Sequence, residues 1–110
     1  MERWQSKGKV GPYRGVLVPY YNEKGKRQGL QGAAIHPEGM VAIRMREYED
    51  GGQLITYETV TPDGHHYRLR EHRAPSERVG ERGARTIAGR WLRSLIGGGE
   101  PLPGVQYLPW

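Results

Sequence analysis

Residues 37–72 read PEGMVAIRMREYEDGGQLITYETVTPDGHHYRLREH. Within this stretch Pro37-Glu38-Gly39, Asp50-Gly51-Gly52 and Pro62-Asp63-Gly64 separate runs rich in β-branched and aromatic residues. Each separator suits a three-residue hairpin loop, a type I turn closed by a glycine in the left-handed region. Asn22-Glu23-Lys24-Gly25 gives a similar signal one strand earlier. Strands are therefore expected over Tyr13–Tyr20, Gly29–His36, Met40–Tyr48, Gln53–Thr61 and His65–His72.

Loop length sets register. A three-residue loop at each separator places Thr61 opposite His65, Glu49 opposite Gln53 and His36 opposite Met40. One face then receives Ala33, Ile35, Val41, Ile43, Met45, Ile55, Tyr57, Tyr67 and Leu69. The other receives Leu30, Gly32, Arg44, Arg46, Thr56, Glu58, Arg68 and Arg70, flanked by His66 and His72. In this register Glu58 stands between Arg44 and Arg68. Side-chain alternation thus gives one mostly apolar face and one arginine-rich face.

Beyond Arg73-Ala74-Pro75, Ser76 is positioned to cap a helix with Glu77 in its first turn. Ala84, Ile87, Ala88, Trp91, Leu92 and Leu95 recur at helical spacing, so the helix should cover the apolar sheet face. Gly97-Gly98-Gly99 stops it, while Gly80, Gly83 and Gly89 weaken its early turns. The expected fold is α+β: a five-stranded antiparallel β-meander with one C-terminal amphipathic helix and an extended proline-rich tail. Residues 1–12 form an N-terminal arm, 13–97 the single domain, and 98–110 the tail, which either straps the first two strands or docks on a partner.

The 110-residue chain has no Cys and no Phe, and its Val, Ile and Leu total 20 residues. Tyr and Trp must then carry much of the core. Absence of cysteine excludes disulfides, thiolate–zinc sites and cysteine nucleophiles. No apolar run reaches membrane-spanning length, and the first residues lack a signal-peptide core, so a cytoplasmic protein is expected. Arginine dominates the basic side, 13 Arg to 4 Lys, and the net charge of +5 favours anionic partners.

The candidate site is the arginine-rich face: Arg44, Arg46, Arg68 and Arg70 for phosphates, with Tyr48, His66 and His72 for stacking. Its competing reading is an ordinary solvated face with cross-strand ion pairs through Glu58, but four arginines exceed what one glutamate neutralises. A second basic stripe, Arg78, Arg82, Arg85 and Arg93, reads as the solvent side of the helix. His66 and His72 share a face but lie about 20 Å apart along one strand, and His65 points to the opposite side, so no metal site and no cofactor are expected. No phosphate-binding glycine loop or nucleophile elbow occurs.

The leading expectation is a small non-enzymatic accessory protein that binds nucleic acid, DNA or RNA, through the exposed sheet face. The alternative is a protein-binding inhibitor or adaptor of mobile-element type, using the tail or the open first strand. That open strand also allows a homodimer. A metal-free ribonuclease using Glu58, Arg68 and His66 is third.

Overall fold

The computed structural model describes residues 15–97 with their side chains and the backbone of residues 105–108. Five strands form an antiparallel meander in sequence order: β1 (Leu17–Tyr21), β2 (Arg27–His36), β3 (Gly39–Glu47), β4 (Gln53–Val60) and β5 (His66–Arg73). A 3₁₀ turn at Pro75–Glu77 follows, then a single α-helix, α1 (Glu81–Ile96), which packs on β2, β3 and β4. The α+β class and its helix-on-sheet arrangement are those expected. A sixth strand, β6 (Val105–Leu108), runs antiparallel beside β5, with Leu69 opposite Val105. The tail therefore adds to the far edge of the sheet, away from the first two strands. The arm at 1–12, with Tyr13 and Arg14, lies outside the described residues.

Glycine explains the loops. Gly25, Gly51 and Gly64 have φ of 81°, 96° and 89°, and each closes a three-residue loop. Tyr48 N–H donates to Gly52 O at 2.9 Å and Thr61 N–H to His65 O at 2.9 Å, with Asn22 N–H donating to Lys26 O in the same way. The Pro62–Gly64 register is the expected one: Glu58 faces Arg68 and Thr59 faces Tyr67. The middle loop is shifted by one residue because Gly51, not Gly52, takes the left-handed position. Glu47 then faces Gln53, and Ile43 faces Tyr57. This moves every β3–β4 partner by two positions and leaves the faces unchanged.

Pro37-Glu38 behaves differently. His36 pairs directly with Gly39, so this loop has two residues, not three. Gly39 enters the strand instead of closing the turn, and β2 changes faces relative to β3. Ala33 and Ile35, expected under the helix, lie on the opposite side; Leu30, Gly32, Ala34 and His36 take their place. Ala34 is fully buried and His36 is 4% exposed.

Helix α1 starts at Glu81 behind Gly80, five residues after the expected cap at Ser76. Pro75–Glu77 makes only one 3₁₀ turn, whose entry is held by Ala74 N–H donating to Glu77 Oε1 at 3.4 Å. Gln53 fixes the link between this turn and α1: its amide donates to Val79 O at 2.8 Å and accepts from Val79 N–H at 3.0 Å. The apolar stripe of α1 seals the core, with Ala84, Ala88, Trp91 and Leu92 buried against Val41, Ile43, Met45, Ile55, Tyr57 and Leu69. In a chain without Phe, Trp91 and Tyr57 fill the centre, their rings 6.2 Å apart and tilted by 53°. Tyr57 Oη donates to Glu71 Oε1 at 3.1 Å, which satisfies the phenol at the edge of the core. Among the described residues, no helix is long and apolar enough to cross a membrane.

Candidate nucleic-acid interface

The helix occupies one side of the sheet, so the side chains alternating away from it form an uncovered face. Arg44 and Arg46 project from β3, and Arg68 and Arg70 from β5. The shifted β3–β4 register aligns them in three rungs: Ala42–Glu58–Arg68, Arg44–Thr56–Arg70 and Arg46–Leu54–His72. Glu58 therefore does not stand between Arg44 and Arg68. Thr56, a neutral residue, separates Arg44 from Arg70, whose Cα atoms are about 10 Å apart at two strand spacings.

This change of neighbours alters the electrostatics. Arg68 Nε donates to Glu58 Oε2 at 3.0 Å, so one arginine of the four is neutralised. Among the described residues, no carboxylate pairs with Arg44, Arg46 or Arg70. Arg44 instead donates to Gln31 Oε1 at 3.1 Å and lies over the Tyr20 ring, 5.2 Å from its centroid. Arg46 lies over the Tyr48 ring at 5.5 Å. Each contact holds a guanidinium over a ring without removing its charge. An open groove of about 640 Å³ runs between Val18, Gln31, Arg44, Thr56, Arg68 and Arg70. A second hollow of about 330 Å³ adjoins it and shares Arg44, Thr56 and Arg70.

The expected residues divide in the following way. Arg44, Arg70, Arg46 and Tyr48 come together at the centre and one end of the face. His72, exposed opposite Leu54, continues the Arg46 rung. His66 is half-buried opposite Val60 at the other end of β5, so the two histidines sit at opposite ends of the face. Tyr20 and Gln31 belong to the site but were not legible in the sequence. Gln31 required the two-residue loop at Pro37-Glu38. Tyr20 required the β1–β2 register, which slips between Tyr20 and Tyr21.

The helical arginine stripe breaks up. Arg78 precedes α1 and is held by Gly51 O at 2.8 Å and Glu47 at 3.3 Å. Arg85 bridges Glu81, 2.7 Å away, to Gly15 O at 2.8 Å. Both serve the fold, whereas Arg82 and Arg93 remain exposed on the outer side of α1 with Arg90. No group of three or more His, Asp or Glu residues capable of holding a metal exists among the described residues. Glu58, Arg68 and His66 share the face, and the Glu58 carboxylate is engaged by Arg68. Comparison with protein-family models, curated proteins and solved structures gives no match.

Proposed function

We propose that the protein binds nucleic acid through the face formed by Arg44, Arg46 and Arg70, with Arg68 at its margin. The observation that supports this most directly is the set of three exposed arginines that lack a carboxylate partner among the described residues, beside exposed or half-buried Tyr20, Tyr48 and His72. A face evolved only for solubility intersperses opposite charges. Here the one glutamate is already committed to Arg68. Phosphates supply the missing negative charge, and rings supply stacking partners for bases.

The adaptor reading rested on a free tail and an open first strand. Val105–Leu108 pair with β5, and the outward positions of β1 are blunted, as described below. Both features count against a partner docking there.

The test is a titration of labelled oligonucleotides at about 50 and 200 mM salt. The expected result is saturable binding that weakens steeply with salt. An Arg44→Ala/Arg70→Ala variant should bind less tightly, with the log–log salt slope reduced by about 1.5–2 and the thermal midpoint unchanged. Absence of saturable binding at the lower salt overturns the reading.

A further inference from the structure

Given that reading, we infer that the face takes single-stranded rather than duplex nucleic acid, with bases laid against the rings of the Tyr20–Arg44 and Tyr48–Arg46 pairs. Three observations converge. The first is the interleaving of charge and flat surface. Each of the two ring–guanidinium pairs, at 5.2 and 5.5 Å, sets an aromatic ring beside a positive charge. Such patches are useful only to a base whose face is free, and in a duplex both faces of every internal base are already stacked. Tyrosine rings and arginine planes are the surfaces on which unpaired bases are held, largely without regard to sequence.

The second observation is width. Six strands side by side span about 24 Å. The major groove of a duplex is about 12 Å wide and admits a helix or a two-stranded ribbon. This sheet face cannot enter it, and α1 lies on the opposite side. A duplex would meet only the phosphate ridges and would leave the rings unused.

The third is the floor of the site. Leu54 is half-buried between Arg46 and His72, Thr56 lies between Arg44 and Arg70, exposed Val18 borders the groove, and the carboxylate that also lines it, Glu58, is held by Arg68. Apolar and neutral floor between cations suits bases resting on the sheet while their phosphates reach the arginines. A surface made for phosphates alone has no such requirement. Gly29 contributes by omission. It stands between Tyr20 and Arg46 in the ladder, and a Cβ there would collide with the Met45 carbonyl. The Tyr20 ring therefore meets no side chain on the intervening strand at that rung.

The experiment compares mixed-sequence 15-nucleotide RNA and DNA single strands with the 15-base-pair duplex, using the full chain at about 100 mM salt. The expected result is single-strand affinity at least tenfold above that of the duplex. Tyr20→Ala and Tyr48→Ala should each lower single-strand affinity about fivefold or more and leave duplex affinity unchanged. Whichever single strand binds more tightly identifies the preferred sugar. Duplex binding equal to or tighter than single-strand binding overturns this inference while leaving the proposed function standing. Binding of all probes that persists in Arg44→Ala/Arg70→Ala and disappears in Arg82→Ala/Arg90→Ala places the site on the outer side of α1 and overturns both this inference and the proposed function. No binding of any of the three probes at about 50 mM salt overturns both readings. If a tyrosine variant fails to fold, the wild-type ratio still decides the outcome.

Discussion

Gly89 faces the His36 imidazole so closely that a Cβ built on it would lie 2.7 Å from His36 Cε1. Alanine elsewhere in a helix is worth about 1 kcal/mol over glycine. Here the added methyl must displace a buried ring, at about 1–3 kcal/mol, so Gly89→Ala should lower the thermal midpoint by several degrees. In a His36→Ala background the ring is gone, and the same substitution should instead raise it. A double-mutant cycle by thermal denaturation checks the change of sign. Gln53 is a second such residue, 2% exposed and bonded both ways to the Val79 backbone. Gln53→Leu fills similar volume but leaves the Val79 N–H and C=O without these partners. It should cost about 2–3 kcal/mol, measurable by urea unfolding. Neither role was legible in the sequence, because a polar residue on a strand reads as exposed until register is known. His36 changed sides with one residue of loop length, and Gln53 found its partner only through the 3₁₀ turn.

At the level of elements, the sequence carried the first five strands, their order and the alternation of β3, β4 and β5, because the left-handed glycines at 51 and 64 fix loop length within one residue, but it missed β6 in the proline-rich tail. It failed at Pro37-Glu38-Gly39, whose composition suits either loop length; what selects the shorter one is burial. In the observed register Ala34 and Leu30 pack beneath α1 and Gln31 reaches Arg44, a consequence visible only in three dimensions. The first strand shows a related limit. Val16 and Val18 look like an open pairing edge, but Val16 O accepts from Ala33 N–H at 3.3 Å, so the backbone N positions of residues 17 and 19 point away from β2. Leu17 N–H donates to Glu81 Oε2 at 3.4 Å, and Pro19 has no N–H to offer. Proline and a capping carboxylate blunt this edge against another chain. A Pro19→Thr/Glu81→Ala variant should therefore self-associate through β1 at high concentration. The parent chain should form no dimer there, and sedimentation equilibrium of the pair checks the difference. An unchanged mass for the variant would show that these two residues do not govern the edge.

For the whole molecule, the sheet separates two kinds of electrostatics. On the helix side, His36 is held below its ordinary pKa, mainly by burial and then by the Arg93 charge, against opposing contributions from the Glu38 carboxylate and a hydrogen bond with the Arg85 backbone. Below pH about 6.5 the unfolded chain takes up a proton that folded His36 resists. Stability is then fully present above that value and declines as pH falls toward the lowered folded pKa. Asp63 and Glu49 are also held low, by Thr61 and Lys26 respectively. Their losses begin nearer the usual carboxylate range, below pH about 4.5. Tyr57, raised chiefly by burial and then by Glu71, reverses the sign at the alkaline end, where stability should fall above pH about 10. The opposite face presents the exposed guanidinium groups of Arg44, Arg46 and Arg70, so its binding should respond to salt. His36→Gln removes the titrating ring beneath α1 without touching that face. It should flatten the pH dependence of the thermal midpoint between pH 7 and 5.5, where the midpoint of the parent chain should fall, and leave the salt slope of oligonucleotide binding unchanged. Thermal scans across that pH interval and a salt titration at fixed pH test the two halves separately. A changed salt slope in His36→Gln would mean that the buried histidine reaches the arginine face through the sheet, and that the two sides are not independent.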